Sequence, residues 1–322
     1  MTQRFDDQLP GGAPFDRTLF DRRQVRRAFS RAAHHYDDAA ALQREVAARL
    51  LESLDYYAER TPGAAADGKP RTPGLVLDVG CGPGHAAVAM QQRWPKAQVY
   101  ALDLALPMLR ETRHNAGGWR PFKQRPNAVC ADARALPLRD ASVDVLFSNL
   151  CLQWIEDLAA VFAGFRRVLK PDGLMVLSTF GPDTLWELRD AFAHADSAPH
   201  VSPFASIAQF GDALIAAGFK DPVLDRDAFR LQHATLAELM RELRTLGATN
   251  ALTTRRRSLT GRARFARAAQ AYEALRHDSK LPATWEVITA HAWGPQPGTP
   301  IRVGGVDEVM VPVAKIPIRR RG

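Results

Sequence analysis

The chain has 322 residues, 46% hydrophobic and 24% charged, the balance of an ordinary globular protein with a full core. It has no apolar run near the roughly 18 residues of a membrane span, and its start, "MTQRFDDQLPGGAPFDRTLF", lacks the apolar stretch of a secretory signal and carries acids that a transit peptide avoids, so the cytoplasm is expected. A formal charge of +8, with only seven Lys among 43 basic residues, favours an acidic partner without naming one.

Residues 1–19, polar and containing Pro and Gly, read as a loose arm. Residues 20–57 read as two helices, the second with Ala40, Val46, Leu50, Leu51 and Leu54 on one face. An insert rich in Ala, Gly and Pro follows. From Leu75 the pattern alternates. "LVLDVG" is a buried strand, residues 85–94 a helix with Ala87, Met90 and Trp94 on one side, and "AQVYALDL", "NAVCADA" and "SVDVLFSNL" are three further strands. The helix over 158–169 is expected to stop at "KPDG", before a fifth strand, "LMVLSTF". Residues 206–217 read as a helix and "PVLDRDAFRL" as a strand; helices over 235–246 and 260–276 precede a closing strand, "ATWEVITAHAWG". Strands alternating with helices predict a parallel sheet covered on both faces. The chain divides into the arm, N-terminal helices (20–58), a sheet-forming core (74–234), an inserted helical lid or docking element (235–280), and a closing strand with a basic tail (281–322). Cys81, Cys130 and Cys151 match no zinc spacing or CxxC pair and read as free thiols.

The chemistry concentrates in the loop after the first strand, with glycines at 80, 82 and 84. A dinucleotide fingerprint from Gly80 needs a glycine where His85 stands, and no G-K-[ST] of a phosphate loop follows. Asp78 precedes the glycines, where an acid can receive an ammonium group or brace the loop by accepting its N–H bonds. The N–H groups of the loop at Cys81 and those that open the next helix can receive a carboxylate or a phosphate. Asp103, 19 residues beyond Gly84, is placed for two ribose hydroxyls, with Leu104 beside it. Asp132 and the Ala133 backbone suit an adenine amino group, and Met108 can pack on the base. Adenosine with an amino-acid tail is S-adenosylmethionine.

The segments "VLDVGCGPG", "ALDLALPML", "CADARALPL", "DVLFSNLCLQW" and "LKPDGLMVLSTFG" resemble the class I S-adenosylmethionine-dependent methyltransferases. That resemblance implies a doubly wound α/β fold, a mostly parallel seven-stranded Rossmann-like sheet with an antiparallel last strand. The flanks "AFSRAAHHYDDAAALQREVAARLLE", "STFGPDTLWELRDAF", "ELMRELRTLGATNA" and "GRARFARAAQAYEALRHDSKLPATWEVITAHAWG" resemble the malonyl-acyl-carrier-protein O-methyltransferases of biotin synthesis. The implied activity is methyl transfer to the free carboxylate of a malonyl thioester on acyl carrier protein, with no metal. A mitochondrial arginine hydroxylase family shares much of the C-terminal pattern.

A carboxylate is ionised at neutral pH, so the chemistry needs placement and exclusion of water more than a base. Tyr36, Gln153, Trp154 and His200 are candidates for positioning the acceptor. Asn149 and Leu150 follow the fourth strand, beside the methyl group's expected place, and Arg244 is one candidate among many for the malonyl carboxylate. Acyl carrier proteins are acidic, and Arg255, Arg256, Arg257, Arg262, Arg264 and Arg267, or Arg22, Arg23, Arg26 and Arg27, form basic patches that suit one. Rival readings are methylation of another small molecule such as a quinone precursor, a hydroxylase or assembly-factor role acting on a protein, and RNA binding. Against the last, the basic clusters lack interleaved aromatics.

Overall fold

A computed structural model describes residues 18–59, 72–117, 124–258, 260–303 and 306–309. Nearly all of the N-terminal arm, most of the Ala/Gly/Pro-rich insert and most of the basic tail lie outside the described residues. The N-terminal segment forms α1 (Arg22–Ala32), a 3-10 turn (Ala33–His35), α2 (Tyr36–Ala39), α3 (Ala41–Glu52) and α4 (Asp55–Glu59), not two helices. Asp21 caps α1 by accepting the Gln24 N–H at 3.1 Å, and Val25, Ala28 and Ala32 form the buried stripe. The backbone leaves helical geometry at His35 (φ −112°, ψ 6°) and Ala40 (φ −86°, ψ 33°). Periodicity alone does not reveal these bends, which turn Tyr36 toward the sheet.

The core then runs β1 (Leu75–Val79), α5 (His85–Arg93), β2 (Gln98–Asp103), α6 (Leu106–Asn115), β3 (Asn127–Cys130), β4 (Val143–Ser148), α7 (Leu158–Val168) and β5 (Leu169–Phe180). After it come α8 (Trp186–Ala193), α9 (Ile207–Ala216), β6 (Lys220–His233), α10 (Leu236–Thr245), α11 (Arg262–Glu273) and β7 (Leu281–Trp293), followed by a small hairpin, β8 (Ile301–Val303) and β9 (Val306–Glu308). The sheet has seven strands in the order β3-β2-β1-β4-β5-β7-β6. All pairings from β3 to β5 are parallel, and β7 runs antiparallel to both of its neighbours. The order reverses between β1 and β4, so a crevice opens beyond the carboxyl ends of those strands.

Alternate strand residues feed two cores. Leu77, Val79 and Leu146 face α7 and α9; Val76, Val145 and Phe147 face α3, α4 and α5, where Tyr57, Met90 and Trp94 pack. A third core joins α8, α10 and α11 to β7 through Leu188, Leu239, Tyr272 and Trp285. Two helices, α6 and α8, go beyond the elements expected from sequence. "KPDG" does not simply end a helix. Leu169 is already extended (ψ 135°), and residues 170–173 form an irregular start to β5, with Asp172 left-handed at φ 54°. Among the described residues no helix is long and apolar enough to cross a membrane.

Phe162 ties α7 to α9, with ring centroids 5.2 Å from Phe210 and 6.2 Å from Phe219, and it is fully buried. Phe162→Ala is expected to lower unfolding free energy by about 3–5 kcal/mol, with Phe162→Leu losing less. Urea denaturation of the two variants measures the difference.

Candidate active site

The loop after β1 is shaped by the strand next to it. Gly80 and Cys81 donate their N–H groups to the Leu102 carbonyl at 2.8 and 3.0 Å. Gly82 donates to Asp103 Oδ2 at 3.0 Å, and Ala105 donates to Asp103 Oδ1 at 2.7 Å. The acid that braces this loop is therefore Asp103, not Asp78. Helix α6 holds the loop from its other side, Thr112 donating to the Gly82 carbonyl at 2.9 Å and Asn115 to Pro83 at 3.1 Å. Gly80 and Gly82 are both left-handed, at φ 70° and 53°. A Cβ at Gly80 would stand 2.6 Å from the Cys151 Cβ, whereas at Gly82 it would meet nothing within 4 Å. Gly80 is thus required by packing, and Gly82 presents bare backbone to an open space.

That space is a cleft of about 710 Å³, including its open mouth, lined by Asp103, Leu104, Met108, Asp132, Ala133 and Leu150, among others. Tyr36, Gly80, Gly82 and Asn149 lie between it and a second lobe lined by Asp78, Cys81, Arg44 and His85. The floor of this second lobe is Asp78, 1% exposed, with Oδ2 lacking a hydrogen-bond partner among the described residues. Burial, then the Asp103 charge, pushes its carboxyl up to about 8 against the pull of the Ala87 N–H. Burial also raises Asp103, to about 6, although three backbone N–H bonds hold it down. The Asp132 carboxylate is engaged by Arg134 through Nε at 2.9 Å, Nη2 at 3.0 Å and the backbone N–H at 3.0 Å. Burial works to raise it, but these bonds and the Arg134 charge keep it below the ordinary range.

The corner after β4 is built on Ser178, which donates to Asn149 Oδ1 at 2.8 Å and accepts the Leu150 N–H at 3.0 Å. Leu150 is left-handed at φ 47°. Asn149 Nδ2 in turn donates to the Gln43 carbonyl at 3.0 Å, tying α3 to the cleft. Tyr36 is half-buried, and its hydroxyl is raised by burial and by the Asp103 and Asp37 charges. Trp154 lines the cleft with its ring edge-on to Phe29 at 5.4 Å and Phe20 at 6.0 Å.

The remaining sequence candidates lie elsewhere. Gln153 is outside the residues lining the cleft, with its amide donating to the Leu150 carbonyl at 2.6 Å. His200 and Arg244 share a separate hollow between α8, α10 and α11, where His200 stacks on Phe192 at 4.0 Å and pairs with Asp196 at 2.9 Å. The arginines of the inserted region do not form one free patch. Arg255 pairs with Asp21 at 3.0 Å, Arg256 and Arg264 with Asp196 at 3.3 and 3.6 Å, and Arg267 donates to the Ala195 carbonyl at 2.8 Å. Arg257 and Arg262 are exposed and have no ion pair among the described residues. Sequence reading missed Val25, Phe29, Arg134, Cys151 and Ile155, which also line the cleft. Arg134, Cys151 and Ile155 carried a signal, since each directly follows a named candidate, Ala133, Leu150 or Trp154. Burial, then the Asp103 and Asp78 charges, pushes the Cys151 thiol up to about 12.

The donor set fits S-adenosylmethionine. The unpartnered Asp78 oxygen suits an ammonium, the open Gly82 backbone suits close approach of the ligand, and the Asp103 carboxylate in the first lobe suits sugar hydroxyls. Among the described residues no group of three or more His, Cys, Asp and Glu could hold a metal ion.

Comparison with known proteins agrees. Residues 77–177 match the family described as "Methyltransferase domain". A malonyl-acyl-carrier-protein O-methyltransferase of Xylella fastidiosa is 57% identical over 94% of this chain and 98% of its own. The protein of the same name from Halorhodospira halophila is 44% identical over 96% and 99%. The crystal structure of the YcgJ protein from Bacillus subtilis shares the fold, with a TM-score of 0.53 and 16% identity over 77% of this chain and 99% of that one.

Asp78, raised to about 8, is mostly protonated at pH 7, and an ammonium set against it favours the carboxylate. Donor binding at pH 7 should therefore release close to about one proton, and less above pH 8. Calorimetry in buffers of differing ionisation enthalpy should give a buffer-dependent heat in the parent and a flat one in Asp78→Asn. A buffer-independent heat in the parent contradicts the ammonium's place at Asp78.

Proposed function

The chain belongs to the malonyl-acyl-carrier-protein O-methyltransferase family, and from that premise we propose that it methylates the free carboxylate of a malonyl thioester on acyl carrier protein. In biotin synthesis the ester masks a charge, so that fatty-acid enzymes can elongate the chain. The end-to-end identity with the Xylella fastidiosa protein carries this reading, and the chemistry of the cleft supports it.

S-adenosylmethionine, when bound, supplies a methyl group on a positively charged sulfur. Asp78 receives its ammonium, and the N–H groups opening α5, with Arg44 at the rim, receive its carboxylate. Asp103 accepts from the ribose hydroxyls, Ala133 and Asp132 meet the adenine edge, and Leu104 and Met108 pack on the base. Tyr36, Asn149, Leu150 and Trp154 wall the acceptor's side and exclude water. Asp132 serves in part through Arg134, whose grip fixes its carboxylate. The acceptor carboxylate, with an ordinary pKa near 4, arrives ionised, so the residues around it have only to orient it.

The partner on this reading is an acidic carrier protein met in the cytoplasm. Of the arginines in the inserted element, read as a lid and docking element, Arg257 and Arg262 are free to touch it.

Asp103→Asn should weaken binding of S-adenosylhomocysteine by about 10- to 100-fold, the loss of a charge-assisted acceptor that also braces Gly82. Equilibrium binding measures that loss. Labelled donor incubated with malonyl carrier protein should transfer label that base releases as methanol, and acetyl carrier protein should take none. Equal labelling of the two carriers would reject the carboxylate as acceptor.

A further inference from the structure

Five exposed arginines without an ion pair among the described residues line up on α1, namely Arg22, Arg23, Arg26, Arg27 and Arg31. Arginines in the inserted region behave differently, with Arg255, Arg256 and Arg264 each drawn to Asp21 or Asp196. Arg23, Arg27 and Arg31 follow one another a turn apart, as do Arg22 and Arg26. Like charges at that spacing weaken a helix. Arg22 and Arg23 also sit in the first turn, where no acid is present and where the helix dipole disfavours cations. The stripe therefore works against the stability of its own helix.

The surrounding structure holds α1 in place all the same. Asp21, its cap, accepts from Arg255 at 3.0 Å, and the Asp21 N–H donates to the Ala251 carbonyl at 2.8 Å. Gly247, left-handed at φ 74°, packs against Ala28, Phe29 and Ala32. The inserted region thus acts as a bracket for α1, with Arg255 as part of it. On its inner side, α1 sets Val25 and Phe29 into the wall of the donor cleft.

We infer that the exposed arginine stripe of α1 is the face on which the acidic carrier protein docks, resting on the proposed carrier-linked substrate. A chain with net charge +8 steers an acidic partner, and the stripe sets five arginines, unpaired among the described residues, on an element that also lines the site. A carrier seated there stands on the helix that forms one wall of the cleft. Malonyl linked to a small thiol, lacking the acidic surface, gains nothing from the stripe.

The test uses the full chain with R23E/R27E/R31E, and with R23Q/R27Q/R31Q as the milder variant; none of these residues lines the cleft. Binding of fluorescent holo-carrier protein and turnover of malonyl carrier protein are measured at low salt. S-adenosylhomocysteine affinity and thermal unfolding confirm an intact fold. The reversal should raise the carrier Kd, and KM with it, about tenfold or more, and the Gln variant should fall between. Both should leave kcat and turnover of a malonyl small-thiol ester unchanged, and salt should narrow the gap. Carrier binding that is the same in parent and both variants overturns the docking face. A parent that binds carrier through the stripe yet does not methylate its malonyl group overturns the proposed reaction and leaves the docking face standing. A parent that binds no carrier overturns both.

Discussion

Asp78 and Asp103 stand at the carboxyl ends of neighbouring parallel strands, where β1 pairs with β2 in register from Leu75 with Gln98 to Val79 with Leu102. Burial raises both, and the Asp103 charge adds to the rise at Asp78. Among the described residues no cation relieves either one. Asp103 is eased by backbone N–H groups, including that of Gly82, and this bond bends the glycine loop into its left-handed path. Asp78 keeps an unmatched oxygen. Loop shape and the open backbone at Gly82 follow from Asp103, and beside it Asp78 is left as a buried acid suited to a cationic group.

The sheet was readable because strands buried on both faces appear as continuous apolar runs, and β1, β2, β4 and β5 are such runs. Strand-end acids and the glycine loop were readable for a related reason, since topology sends the ends of parallel strands to one crevice. What comes to the cleft from outside the sheet had no such rule. Val25 and Phe29 arrive on α1, which contacts with the distant segment around residues 247–255 hold in place. Helix α6, which props the loop through Thr112 and Asn115, was hidden behind the prominent Asp103 motif. His200 and Arg244 do come together, but in another hollow, because α8, α10 and α11 form a core of their own against β7.

Charge in sequence is a poor guide to charge on the surface. The arginine run at 255–257 looks like a patch, yet Asp196 gathers His200, Arg256 and Arg264 around one carboxylate, and Asp21 takes Arg255. These acids draw in the nearest arginines, which then serve to hold the fold together rather than to meet partners. The run at 22–31 reads much the same in one dimension. Its helix, though, turns its apolar stripe to the core, and its arginines form no ion pair among the described residues, Arg22 alone reaching an acid, Asp132, through its charge.

Ionisation inside the cleft also bears on the chemistry. Tyr36 and Cys151 are pushed up by burial and the neighbouring carboxylates, so at neutral pH both hold their protons. Asp132 is held ionised by Arg134 and is a poor proton acceptor for the same reason. Asp103, near 6, is ionised, but its oxygens hold the loop and the start of α6 and on the proposed reading face the ribose hydroxyls rather than the acceptor. A phenol or carbon nucleophile would need a base among these groups, and each is either protonated or engaged. A nucleophile that enters already as an anion needs none, and then only its orientation and the exclusion of water remain for the protein to provide. The same buried acids that shape the loop therefore bias the cleft toward acceptors such as a carboxylate.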